Sequence, residues 1–247
     1  MASFMLEAWT ALAPSLNQKE DWSTWLTEPS EISEQPLNVS LKHVPMMLRR
    51  RFNVLGKCAM GAISQLAIEE PNIPCIFASQ HGDTTLTLSL LESIGRQEDM
   101  SPTGFSLAVH NAVSGLYSIA TKNTSEITAI AAMEGTIASA IFESVGQLQC
   151  AEKVLCVIYD TPLPSVYQPY TQGNEFPYAI AMVLSRTNGE EISLSYQSPE
   201  SQTVNVDTSS ENELHQFLAF LLGRSNTYTC QSNGSSWTLE KTTQHVS

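Results

Sequence analysis

The chain has 247 residues, 42% of them hydrophobic and only 15% charged, which excludes a disordered or fibrous chain and leaves room for one large core. Its formal net charge of −13 at pH 7 argues against nucleic acid and anionic membrane as partners, since both recruit a basic face; its simplest reading is solubility. Five cysteines, none in a C-x-x-C pair, suggest neither a structural zinc nor a disulfide framework.

No basic-then-apolar leader opens the sequence and no run reaches membrane-spanning length, so a cytoplasmic protein is the expectation. The N-x-S sequons at Asn38, Asn123 and Asn233 then read as chance matches. In chain order, residues 3–9 form a first strand. Pro14 to Asn38, with three prolines, scattered acids, Trp22 and Trp25, reads as a surface loop with aromatic anchors. From Pro45 the pattern turns helical, with Leu48, Phe52, Leu55, Ala59, Ile63 and Leu66 in one stripe. Beside it lie Arg49, Arg50, Arg51 and Lys57, either a clamp for phosphate or carboxylate or a solvated face with local ion pairs; the second is simpler.

Residues 74–79 form the next strand, left through Gln80-His81-Gly82-Asp83. Without a G-x-S-x-G elbow a hydrolase triad is not supported; His81 reads as a loop residue and Asp83 as the cap of a helix from Thr84 to Ile94. Ser101 to Ser106 leads into an apolar helix, Leu107 to Ala120, greasy enough to be sandwiched in the interior, with His110 and Asn111 as satisfied polar groups inside it. Ile127 to Ala132 is an unbroken apolar run, the pattern of a strand buried on both faces. Gly135 permits a tight turn into a helix from Thr136 to Gln149, and a strand over 153–159 closes a βαβ unit. A strand ending in a sharp turn at a helix N-terminus is where many α/β enzymes place a nucleophile. Here that turn holds Met133, Glu134 and Gly135. Residues 178–184 form another strand with a hairpin partner at Glu191–Tyr196. Glu211 to Leu222 is a helix, and the tail from Ser225 is polar, with a short strand around Trp237–Leu239. The expected fold is α/β, in the order βαβαβαββ: a five-stranded mixed sheet with a buried helix. Residues 1–247 are one domain, in which 186–247 form a hairpin and helix extension. No cofactor motif is present.

Ser101-Pro-Thr-Gly-Phe-Ser-Leu-Ala-Val-His-Asn-Ala-Val-Ser-Gly-Leu-Tyr-Ser-Ile119 resembles the central segment of β-ketoacyl synthases, thiolase-fold condensing enzymes. Pro45-x-x-Leu-Arg-Arg-Arg51, His81-Gly-Asp83 and Tyr159-Asp-Thr-Pro-Leu-Pro164 are similar to the smaller β-ketoacyl-synthase-like N-terminal family, which includes the short chain-length-factor subunits of aryl polyene systems. The likeness covers most of residues 1–185 and implies one half of a thiolase fold. It places the condensing-enzyme cysteine at Met133, or at Glu134 with a one-residue slip; neither forms a thioester. A complete condensing enzyme is about twice this length and carries assisting histidines in its second half, whereas His215 and His245 lie in a surface helix and a polar tail.

The resemblance therefore implies a non-catalytic subunit that pairs with a full-length β-ketoacyl synthase and meets acyl carrier protein only through it. The interface would be the elbow strand, Ile127, Thr128, Ala129, Ile130, Ala131 and Ala132. Thr103, Gly104 and Phe105 would wall the partner's acyl tunnel, with Gly104 either leaving space there or serving a turn of positive φ. No metal or cofactor is called for. The half-fold is expected to leave an edge and a face uncovered, inviting association. The rival readings are a free-standing acyl-thioester enzyme using His81, Asp83 or a cysteine such as Cys75, and a homo-oligomeric acyl-binding scaffold.

Overall fold

A computed structural model describes residues 2–29, 32, 37, 39–70, 72–167, 169–170, 175–198, 213–232 and 234–242. Its centre is set by alternation. Along β4 (Lys153–Asp160), Val154, Cys156 and Ile158 enter one apolar layer, and Leu155, Val157 and Tyr159 the other, because successive strand side chains point to opposite faces. β2 (Cys75–Ala78) and β5 (Tyr178–Ser185) divide in the same way. Strands apolar on both sides belong in mid-sheet.

The other strands are β1 (Ala2–Leu12), β3 (Ile127–Ile130), β6 (Glu190–Gln197), β7 (Thr227–Ser232) and β8 (Ser235–Lys241). The sheet order is β3-β2-β4-β5-β1-β6-β8-β7. β3, β2 and β4 run parallel and the remaining pairs antiparallel. The sheet thus has eight strands rather than five, because the C-terminal extension continues it. β6 is not the hairpin partner of β5: β1 lies between them and pairs with both. The polar tail holds a full hairpin, β7–β8, whose Tyr228, Cys230 and Leu239 are buried while Thr227 and Thr229 are exposed.

The helices are α1 (Lys19–Thr27), α2 (Met46–Arg49), α3 (Val54–Ile63), α4 (Thr84–Gly95), α5 (Pro102–Ala108), α6 (Ala112–Thr121), α7 (Thr136–Gln147) and α8 (Glu213–Leu221). The expected loop over 14–38 contains α1. Its start is tied by the Asp21 carboxylate, which accepts the Gln18 N–H, and Trp22 is buried, its indole N–H donating to Ala11 O. The helix from Pro45 is broken at Asn53, whose side chain accepts the Gly56 N–H and caps α3. The apolar helix over 107–120 is likewise two helices, with Val109, His110 and Asn111 at the break. It is not sandwiched: Val113, Leu116 and Tyr117 are buried, yet Ile119 is 64% and Phe105 57% exposed. α4 has no buried residue.

α3 and α6 cover one face of the sheet, and α1, α7 and α8 the other. α7 crosses β2 and β4 and shares its apolar layer with Phe217, Phe220 and Leu221 of α8 and with Tyr228 and Leu239 of the hairpin. The face expected to stand uncovered is therefore covered by the chain's own extension. Among the described residues, β3 and β7 are the end strands of the sheet, and the outer side of α4, α5 and α6 exposes Leu91, Ile94, Phe105 and Ile119. Among the described residues, no helix is long and apolar enough to cross a membrane.

Candidate functional site

The parallel strands β3, β2 and β4 deliver three loops to one end of the sheet, the end where open α/β sheets place their sites. β3 ends at Ile130, so Ala131 and Ala132 already belong to the turn. Each residue of β3 is half-buried rather than enclosed on both faces, because the strand is the last of the sheet. Met133 to Gly135 then forms one 3-10 turn leading into α7.

At the apex Met133 has φ of 46° and is 51% exposed. That left-handed conformation costs an L-residue about 1–2 kcal/mol, so it is held by its surroundings. Thr136 holds it: its hydroxyl donates to Met133 O at 2.9 Å and accepts the Ala132 N–H at 3.3 Å. The Glu134 side chain lies outside the described atoms. The apex thus presents a thioether, a weak acceptor with no proton to lose and no capacity for acyl transfer.

The loop after β2 is organised from below by Asp160, at the end of β4. Its carboxylate accepts the Ser79 hydroxyl at 2.7 Å, the Gln80 N–H at 3.0 Å and the His81 N–H at 3.5 Å. Burial pushes the Asp160 carboxyl above its ordinary value, against the pull of those donors. The Ser79 hydroxyl in turn accepts the Gly82 N–H at 2.8 Å, and the His110 Nε2 meets Ser79 O at 2.9 Å. Gly82 has φ of 62°, a conformation that favours glycine, and a Cβ there would stand 3.2 Å from His110 Cδ2, so a side chain would also press on that ring. Two motifs far apart in sequence, Ser79–Asp83 and Tyr159–Pro164, are therefore one hydrogen-bonded unit. Asp160, Ser79 and Thr136 carry this geometry, and sequence reasoning assigned none of them a role; the signal for Asp160 was an acid closing an otherwise apolar strand.

Asp83 caps α4, accepting the Leu86 N–H at 3.0 Å, and its other oxygen accepts the Asn53 amide. The carboxylate is thus occupied. The His81 Nε2 is buried and meets no hydrogen-bond partner among the described residues. Thr103, Gly104 and Phe105 lie in the first turns of α5, with Ser101 as cap. Gly104 does not have a positive φ, so the turn explanation for it falls away; a Cβ there would make ordinary contact with Leu90 at 3.4 Å. His110 and Asn111 sit at the break between helices rather than inside one. His215 is on a helix whose inner face is core, 5.9 Å from the Trp25 ring, not on a surface helix; His245 lies outside the described residues. Arg49, Arg50, Arg51 and Lys57 form no ion pair among the described residues, so the local ion pairs expected for this run are absent there.

Cys75 is buried in β2, where desolvation pushes its thiol up to about 12. Its proton goes to Ile73 O and its sulfur accepts the Asn123 amide. That thiol is structural, not a nucleophile. Cys58, Cys156 and Cys230 are also buried, and Cys150 alone is exposed. Alkylation of the folded protein at mildly alkaline pH is expected to add one adduct, at Cys150, by intact mass and peptide mapping. Rapid labelling of Cys75 without unfolding would return it to the list of candidate nucleophiles.

The sequence profile described as β-ketoacyl synthase, N-terminal domain, matches residues 22–240. No curated protein matches the sequence. Among solved structures, a chain from the ketosynthase ApeO in complex with its chain length factor ApeC, from Xenorhabdus doucetiae, superposes with a TM-score of 0.79 at 24% identity, over 97% of this chain and 100% of that one. The ishigamide ketosynthase/chain length factor gives 0.64 at 10% identity, over 80% and 68%. A β-ketoacyl synthase from Burkholderia phymatum STM815 gives 0.60 at 10% identity, over 92% and 71%. At these identities the likeness is one of fold, an α/β mixed sheet. The profile spans most of the chain, and the chain belongs to the β-ketoacyl synthase N-terminal domain family.

Proposed function

We propose that this chain is a non-catalytic, chain-length-factor-like subunit that pairs with a full-length β-ketoacyl synthase and shapes the tunnel in which the acyl chain grows. The observation that supports the reading is the elbow: its backbone is strained, and the residue at its apex is Met133, which has no nucleophile. Carrier protein would be met through the ketosynthase, since both this chain, at −13, and an acidic carrier repel each other at long range.

The pairing surface is read from what the chain leaves open. β3 offers an unpaired edge, and α4 to α6 offer Leu91, Ile94, Phe105 and Ile119 to solvent; such an edge and apolar patch favour association. In this reading residues 127–132 lie at the interface, and Thr103, Gly104 and Phe105 reach the far wall of the partner's tunnel. The chain is co-expressed with a ketosynthase, the mass of the complex is measured, and the complex is then treated with an activated acyl donor. A one-to-one complex acylated only on the ketosynthase is expected. A homodimer of this chain, or an acyl group carried by it, would defeat the proposal.

Gly104 supplies a second test. Its helical φ and ordinary Cβ contacts let a side chain enter without backbone strain. Gly104→Phe is expected to shorten the product by several methylenes while the heterodimer persists, read by mass spectrometry of released chains. Products of unchanged length from an intact complex would place the tunnel end elsewhere.

A further inference from the structure

Between the start of α3 and the helices α4 to α6 lies a cavity of about 240 Å3. It is distinct from the elbow, and the pairing reading makes no use of it. Its inner wall is apolar, formed by Leu55, Leu86, Leu107, Val113 and Leu116, and its mouth carries Arg50 and Arg51.

The charges at the mouth do not cancel. Asp83 is the acid on the wall, and both its oxygens are engaged, one by the Leu86 N–H and the other by the Asn53 amide. Arg50 touches only the Met46 sulfur, at 3.9 Å, and neither arginine pairs with an acid among the described residues. In a chain of net charge −13, two adjacent arginines with no acidic partner among the described residues can meet an external anion. A guanidinium presents a planar fork of donors that matches a carboxylate.

We infer that this cavity binds a short carboxylate-headed acyl chain, with its tail among the leucines and its head at Arg50 and Arg51. Size sets the length. The cavity, about 240 Å3 and open at its mouth, suits a chain of the size of hexanoate, with its about eight heavy atoms. The inference does not depend on pairing with a ketosynthase, and its failure leaves that proposal untouched.

The test is a titration of the full chain with hexanoate, followed by the methyl resonances of Leu and Val. Saturable shifts centred on Leu86, Leu107 and Val113 are expected. The double variant Arg50→Gln, Arg51→Gln should bind at least tenfold more weakly, and hexan-1-ol, which keeps the tail and lacks the charge, should lose as much with the unaltered chain. Ala112→Phe, which fills the cavity from α6, should remove the shifts while core methyl signals stay in place. Shifts that do not saturate, that centre on the exposed Leu91, or that persist undiminished in the double variant would each overturn the inference.

Discussion

Replacing Ala129 by proline is expected to leave this chain folded and to weaken the proposed pairing with a ketosynthase, from the geometry of β3. The Ser79 N–H donates to Ile130 O, and the Cys75 N–H to Glu126 O. In a strand, the N–H and C=O of one residue point to the same side, and the side alternates. The even residues 126, 128 and 130 therefore face β2, and the odd residues Ile127 and Ala129 offer their N–H and C=O to the open edge. Proline at 129 deletes an outward donor and places its ring where a partner strand would lie, while the inner ladder stays intact. The loss should be on the order of 2–3 kcal/mol in association, roughly 30- to 150-fold in affinity. Ile130→Pro removes a donor aimed at β2, so it should lower the melting temperature of the isolated chain instead. Light scattering of co-expressed complexes and melting curves of each variant separate the two effects. A normal complex with Ala129→Pro would remove β3 from the interface.

Asp160→Ala should damage the fold substantially. It strips the partners from the Ser79 hydroxyl and the Gln80 and His81 N–H groups, of which Ser79 is fully buried. Each buried group left unsatisfied costs about 1–3 kcal/mol, offset in part by relief from burying a charge, so a net loss of about 3 kcal/mol is expected. For a chain of this size that is a fall of roughly 6–12 °C in Tm. The pH dependence has a definite sign. Burial raises the folded carboxyl above its unfolded value, so the protonated form is favoured on folding. The stability margin of the unaltered chain over Asp160→Ala is then largest in acid, below the unfolded value, and shrinks as pH rises through the folded one. A margin that instead grows toward neutral pH would show that the donors outweigh desolvation.

What could be read from the residues follows the strength of each pattern. β2, β4 and β5 are unbroken apolar runs, buried on both faces, and no other element accommodates such a run so well. The Asp83 cap was legible because a short polar side chain before a helix has few other uses; the elbow was legible from the apolar run that ends there, although its left-handed residue is Met133 and not Gly135, whose φ is −100°. The β7–β8 hairpin was not legible from composition. Its Tyr228, Cys230, Trp237 and Leu239 alternate with Ser and Thr, so half of each strand is polar and the average resembles a tail. α1 was hidden between Pro14 and Pro29, although Trp22 and Leu26 are spaced by one turn. The helix after Ser101 misled for a different reason: its apolar outer side has no cover among the described residues, and hydrophobicity alone does not say what provides the cover. The Asp160 unit escaped because its partners are 79 to 81 residues away.

The placement of β1 between β5 and β6 has a consequence for synthesis. β1 precedes β5 by about 170 residues, and translation adds about 5–20 residues per second. On the order of ten to thirty seconds therefore pass between the making of an 11-residue, largely apolar strand and the appearance of the first strand it pairs with. Over that interval Phe4, Leu6 and Trp9 have no sheet to enter, while β2, β3 and β4 can already assemble around α7. The long loop that must then close makes this step slow. The earliest strand is among the last to be paired, and a nascent chain stalled before residue 178 would carry it exposed as a target for chaperones or for aggregation.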